Sequence, residues 1–175
     1  WHTLSCILQT FTGLHSRKRS CSKRFKRIKH ASVDLVSDMP SCDECGQWPQ
    51  PSLAVDAVVI RNDEVLLIER GNEPWKGMLA FPGGFVEKGE DPELAVIREL
   101  KEECGIDGEL IRILCVRGSP SRDPRGHIVS LAYLVSADGE PTAGDDAASA
   151  KWYKISEVEE MAGDHLSILN EVDNF

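Results

Sequence analysis

The segment Asp91–Gly105, DPELAVIRELKEECG, constrains this chain most, because it reads as one helix carrying two kinds of chemistry. Asp91 stands where a side-chain oxygen can cap the first turn. Pro92 follows at the position where a missing N–H costs nothing. Leu94, Ile97, Leu100 and Cys104 recur at the three- and four-residue intervals of a core-facing stripe. Gly105 is placed to end the helix as its C-cap. Glu99, Glu102 and Glu103 share one face, opposite or oblique to that stripe, since the helix turns about 100° per residue. Three converging carboxylates repel one another unless a cation sits among them, and hard oxygen donors suit Mg²⁺ or Mn²⁺. Arg98, one residue before Glu99 and four before Glu102, can pair with a neighbouring carboxylate and hold its rotamer. The triplet alone also reads as a solvated acidic face.

Strand-like runs flank this helix. Leu53–Ile60 and Val65–Ile68 are aliphatic and β-branched, with Arg61–Glu64 as the turn between them. Met78–Phe81 is a third short run, stopped by Pro82-Gly83-Gly84. Leu110–Val116, His127–Val135 and Ala150–Tyr153 follow. Short helical patterns then begin at Ser156 and run through Ser167–Val172. Strands around a central helix predict an α/β sandwich with a mixed sheet.

The net charge of -9 conceals a division. Residues 1–33 hold eight Lys and Arg and no acid, leaving 12 basic against 29 acidic residues, or -17, for the remainder. An acidic body of this kind excludes non-specific nucleic-acid binding, which needs many cations on phosphates. No run of about 18 apolar residues occurs, so no membrane-spanning helix is expected. We divide the chain into a basic segment over 1–33, a connector with Pro and Cys over 34–52, and a compact domain over 53–175. The basic segment has the composition of a transit peptide or of a disordered tail. The expected location is therefore cytoplasmic, or mitochondrial if that segment directs targeting. Cys42 and Cys45 form half of a zinc knuckle with no second pair at standard spacing, so unligated loop thiols are the favoured reading. Cys104 and Cys115 fall in helix and strand patterns, as buried free thiols do, which favours a reducing compartment.

The full string over residues 84–106, GFVEKGEDPELAVIRELKEECGI, resembles the Nudix hydrolase signature at every fixed position, from Gly84 through Glu90, Arg98-Glu99, Leu100 and Glu102-Glu103 to Gly105-Ile106. The resemblance implies a Nudix-like α/β/α sandwich and a Mg²⁺- or Mn²⁺-dependent enzyme cleaving a diphosphate. It implies metal ligands at Glu99 and Glu103, with Glu102 as the third acid, and a contribution from the carbonyl of Gly83. Arg98 matches the family's orienting arginine, and Glu90 a loop-supporting residue. Catalysis would then rest on charge neutralisation and on a water whose pKa is lowered by the cation. A base would come from a helix glutamate or from the loop over about 137–149, where Asp145 and Asp146 rank first and a merely solvated loop is the alternative.

Flanking strings resemble the ADP-ribose pyrophosphatase branch: Pro51–Asp56, Arg70–Gly77, Ser121–His127, Ala143–Ala148 and Asp164-His165, with Pro120 fifteen residues past Gly105. The expected reaction is ADP-ribose to AMP and ribose 5-phosphate. Arg70, Arg122 and Arg125 are candidates for phosphate or ribose contacts because their forked donors suit such oxygens; Arg122–Gly126 reads equally as a plain turn. Trp75, Phe81, Phe85 and Tyr133 are candidates to stack on adenine, Phe81 and Tyr133 being better suited to the core. Phe85 is the aromatic assigned to the substrate. Competing readings are a hydrolase of oxidised nucleoside triphosphates or of NADH, and a non-catalytic ADP-ribose-binding module. The expected partner is a small nucleotide, with no nucleic acid and no membrane. A homodimer is compatible with the branch.

Overall fold

The computed structural model describes residues 50–144 and 147–172, which lie within one compact unit, Gln50–Phe175. The basic segment, nearly all of the connector with Cys42 and Cys45, and Asp145 and Asp146 lie outside the described residues. Ten elements follow in order. They are β1 (Ser52–Arg61), β2 (Glu64–Arg70), β3 (Leu79–Ala80), β4 (Gly83–Phe85), α1 (Pro92–Cys104), β5 (Gly108–Arg117), β6 (Ile128–Ala137), β7 (Ala147–Lys154), a 3₁₀ turn (Ile155–Glu157) and α2 (His165–Val172). The strand order is β3-β2-β1-β6-β5, with β4 also paired to β1 and β7 to β2. β1 runs parallel to β6, while the other pairings are antiparallel, so the sheet is mixed.

Strand β1 organises the whole. Its side chains alternate between two apolar layers, as the period of two requires. Val55, Ala57 and Val59 enter the layer that holds Ala95, Val96, Leu100 and Cys104 of α1. Val58 enters the opposite layer, which holds Ile168 and Leu169 of α2. Helices on both faces make the α/β/α sandwich, and burial on both faces explains why β1 reads as an almost unbroken apolar run.

Helix α1 has the ends its sequence predicts. The Asp91 side chain accepts the Glu93 N–H at 3.0 Å, and Gly105 takes the left-handed conformation at φ 69° while its N–H bonds Lys101 O. The apolar stripe differs from expectation. The buried residues are Ala95, Val96, Leu100 and Cys104, while Leu94 is 67% exposed and Ile97 is only partly buried. The reason is angular: from Ala95 the buried arc runs through Val96 and Leu100 to Cys104 at about 180°, whereas Leu94 lies about 100° behind Ala95. The Cys104 thiol is buried deeply enough for its pKa to be pushed up to about 12, so it is inert packing. The helical pattern at Ser156 shortens to the 3₁₀ turn, and the second helix begins at His165, ahead of the expected Ser167. Among the described residues no helix is long and apolar enough to cross a membrane.

Candidate active site

The helix acids sit elsewhere than expected, for the same angular reason. Glu99 and Glu103 lie about 40° and 80° beyond Ala95, inside the buried arc and not opposite it. They point at the backbone of β4. Glu103 Oε2 accepts the Gly83 N–H at 2.8 Å. A Cβ on Gly83 would overlap the Val55 carbonyl, so only glycine lets β4 lie this close to β1, and a Cβ on Gly84 would displace the Glu99 carboxylate. That is the physical content of Pro82-Gly83-Gly84 preceding the helix. Glu102 sits outside the arc and is the most exposed of the three acids, at 57% for its side chain against 13% for Glu99. The expected convergence of three carboxylates is therefore replaced by two inward acids and one at the rim.

Arg98 holds this corner together. Its Nε and Nη2 grip both oxygens of Glu90 at 2.7 and 2.9 Å, and its Nη1 reaches Glu99 at 2.8 Å and Glu102 at 3.0 Å. Nη2 also donates to the Phe85 carbonyl at 3.3 Å. Glu90 in turn accepts the Glu87 N–H at 2.8 Å, so the loop from β4 to α1 is clamped at both ends. The hydrogen bonds from Arg98 and the Glu87 amide hold the Glu90 carboxyl down at about 2. Glu99 responds oppositely: burial pushes its pKa up, against the pull of Arg98.

The charge count tests whether a cation fits. One guanidinium faces Glu90, Glu99 and Glu102, which leaves two negative charges before Glu103 is counted. With Glu103 the count is three negative charges on carboxylate oxygens, a surplus that suits hard divalent cations. Among the described residues, however, no three acidic, His or Cys side chains are grouped closely enough to enclose an ion. The donor chemistry fits; Arg98 occupies the space among Glu90, Glu99 and Glu102, and Glu103 is turned to the Gly83 amide. At Gly83 it is the amide that is engaged with a helix acid.

The loop after β6 docks on the C-terminal end of α1. Thr142 N–H donates to Cys104 O at 2.8 Å and Gly144 N–H to Glu103 O at 2.9 Å. A Cβ on Gly144 would overlap the Glu102 carbonyl. Asp145 and Asp146 follow Gly144 directly in sequence and are themselves outside the described residues.

A cavity of about 250 Å³ opens beside this corner. Glu103, Gly83 and Phe85 line one side; Arg70, Arg122 and Arg125 also line it. The arginine forks are already engaged. Arg122 donates through Nε and Nη2 to Asp164 at 3.0 and 2.5 Å, and Arg125 grips Asp123 in the same manner at 3.0 and 2.7 Å. Arg70 Nε donates to Pro74 O at 2.9 Å. The Asp123 carboxyl is pushed up by burial and pulled down by Arg125, with a net fall in pKa; Asp164 behaves likewise against Arg122. Phe85 is 45% exposed and lies under the Arg125 guanidinium at 5.4 Å, which makes an open stacking face. Trp75 lines the cavity too. Phe81 and Tyr133 are buried, as strand aromatics should be, although Phe81 also borders the cavity.

The lining residues not assigned to the site from sequence include Asp56, Ser130 and His165. Asp56 is 8% exposed, its Oδ2 accepts the Ser130 hydroxyl, and its Oδ1 lies 3.7 Å from His165 Nε2. His165 Nδ1 accepts the Phe81 N–H at 3.1 Å, and the two rings stack at 5.2 Å. A signal was available. One aspartate inside the run Leu53–Ile60 is a charge in a strand buried on both faces, which is rare without a purpose.

Comparison with known proteins agrees with this geometry. The NUDIX domain family matches residues 50–172. The chain is 43% identical over 122 residues to an ADP-ribose pyrophosphatase of Methanocaldococcus jannaschii, covering 69% of this chain and 72% of that protein. The NUDIX domain of Shewanella oneidensis NrtR, solved as a complex with ADP ribose, superposes with a TM-score of 0.67 at 29% identity, over 73% of this chain and 89% of that one. A bifunctional NMN adenylyltransferase/ADP ribose pyrophosphatase of Francisella tularensis, solved with AMP and a manganese ion, superposes at 0.62 with 33% identity, over 71% of this chain and 42% of that one. With the helix acids, their arginine clamp and the family match in agreement, the chain belongs to the Nudix family and is a Nudix hydrolase.

Proposed function

We propose that the protein hydrolyses ADP-ribose to AMP and ribose 5-phosphate with Mg²⁺ or Mn²⁺ bound at the α1 carboxylates. The observation that carries this reading is that Glu103 opens into the same cavity as Arg70, Arg122 and Arg125. A cation-binding end thus adjoins a wall on which Arg70 gives only its Nε to Pro74, while Arg122 and Arg125 are paired with Asp164 and Asp123 and would turn to phosphate only by exchanging those partners. The relatives known to cleave or bind ADP-ribose support the choice of substrate.

Glu99 and Glu103 would hold the cation, with Glu102 at the rim. The bound ion supplies charge neutralisation and Lewis-acid polarisation of the diphosphate. Arg98 keeps Glu99 and Glu102 in fixed rotamers, and the Gly83 amide does the same for Glu103. Phe85 and Trp75 would offer faces for the adenine, Arg70 and Arg125 would bind oxygens of the diphosphate, and Arg122 fixes its loop against Asp164. Hydrolysis adds water to one phosphorus, breaks its bond to the bridging oxygen and transfers a proton to a base. Asp145 or Asp146, carried by the loop docked through Thr142 and Gly144, is the base we assign.

Comparison of kcat/KM for ADP-ribose, NADH and an oxidised nucleoside triphosphate, each with Mg²⁺, tests this. ADP-ribose should lead by at least tenfold. Turnover of the triphosphate without turnover of ADP-ribose would replace the proposal, and saturable ADP-ribose binding without cleavage would make the chain a sensor.

A further inference from the structure

Asp56, Ser130 and His165 form a buried polar corner of the cavity that the chemistry at α1 does not use. Its geometry is specific. The Phe81 N–H donates to His165 Nδ1, so the neutral ring carries its proton on Nε2 and presents a donor there. That donor faces Asp56 Oδ1, an acceptor, across 3.7 Å, beyond direct hydrogen-bond reach. The other carboxylate oxygen is held by Ser130, which fixes the plane of the group. Phe81 stacked on the imidazole fixes the ring. A donor and an acceptor are therefore rigidly held and slightly too far apart to satisfy each other.

The group that fits between them both donates and accepts at one atom, which is what a hydroxyl does. A phosphate oxygen does not fit, because a carboxylate repels it. A purine face finds no aromatic partner on Asp56. We infer that Asp56 and His165 form a ribose-hydroxyl site: the sugar hydroxyl donates to Asp56 Oδ1 and accepts from His165 Nε2. The corner lies in the same cavity as Glu103, so a sugar bonded here is joined to the diphosphate being cleaved. Arg122, held by Asp164 and within electrostatic reach of Asp56, offsets the charge of the buried carboxylate without occupying its free oxygen. The inference rests on the ADP-ribose reading and deepens it by naming what selects the sugar.

The test compares kcat/KM of the full chain for ADP-ribose with two analogues, one lacking a hydroxyl on the adenosine ribose and one lacking a hydroxyl on the terminal ribose. The wild-type protein should disfavour one analogue by about 10- to 100-fold, the value of a hydrogen bond to a charged acceptor. Whichever analogue suffers identifies the ribose concerned. Asp56→Asn should lower turnover of ADP-ribose by a similar factor and leave that analogue almost unchanged, so that discrimination collapses toward one. A purely structural role for Asp56 would lower all three substrates equally, and that result overturns the inference. Equal cleavage of all three by the wild-type protein also overturns it. That comparison alone decides the matter if thermal melting shows Asp56→Asn to be unfolded. If the wild-type protein leaves ADP-ribose intact, the functional reading fails and takes this inference with it.

Discussion

The two polar clusters of the site, one on α1 and one around Asp56, meet at Gly83 and are built in opposite ways. At the α1 end the interacting groups are close in sequence: Arg98 grips Glu90, Glu99 and Glu102 at separations of eight, one and four residues. At the Asp56 end they come from distant elements. Ser130 is 74 residues from Asp56, His165 is 84 from Phe81, and Asp164 is 42 from Arg122. The first end is crowded with negative charge and tied by one arginine; the second pairs Arg122 with Asp164 and leaves Asp56 to the Ser130 hydroxyl and His165. The contrast suggests a division of labour, with a cation-binding end that drives cleavage and a preorganised end that chooses what is cleaved.

Substitutions at the two ends should therefore fail differently. The largest effect is expected from Glu103→Gln, which keeps an acceptor for the Gly83 amide but removes a charge. Turnover of ADP-ribose should fall by about 10²- to 10⁴-fold with the melting temperature nearly unchanged, as for loss of a transition-state interaction. Retention of most activity would remove Glu103 from the metal site. Arg98→Gln comes next. It releases three carboxylates at once, so kcat should fall by about 10- to 100-fold while the Mg²⁺ concentration needed for half-maximal rate shifts. Steady-state kinetics across a Mg²⁺ titration reads both, and an unchanged metal dependence would contradict the clamp.

Asp164→Asn tests the other end. It leaves the largely buried Arg122 with an uncharged partner, at a cost of about 1 kcal/mol once the partial exposure of Asp164 is discounted. Urea denaturation should show that loss, with KM for ADP-ribose rising a few-fold and kcat nearly constant. A fall confined to kcat would break the proposed division. The smallest effect concerns Glu90. Its folded pKa is depressed from 4.5 to about 2, so its contribution is present above pH 4.5 and is lost as pH falls toward 2. The melting-temperature gap between wild type and Glu90→Gln should be open at pH 7 and close across that window; a gap independent of pH would mean that Glu90 acts only by packing.

How much of this was legible follows from the same contrast. The cap at Asp91, the termination at Gly105 and the carboxylates of α1 depend on spacings of a few residues, and periodicity exposes them. The exact face did not follow, because Leu94 promised burial that the small Ala95 and Val96 took instead, turning Glu99 and Glu103 inward. Arg122 and Arg125 were found from their local string, yet their partners Asp164 and Asp123 decide what the guanidiniums are free to do. Asp56 and His165 meet only because β1 lies against β4 and α2 covers the opposite face. Their local trace is one acid in an apolar strand and the strings Pro51–Asp56 and Asp164-His165, which show a resemblance but not that the two side chains meet.

The most direct test of the account is product identification with the full chain, ADP-ribose and Mg²⁺. AMP and ribose 5-phosphate should form in equal amounts, only while the divalent ion is present, and a chelator should stop both. AMP release that persists with the ion chelated, or ADP-ribose left intact while other diphosphates are cleaved, would contradict it.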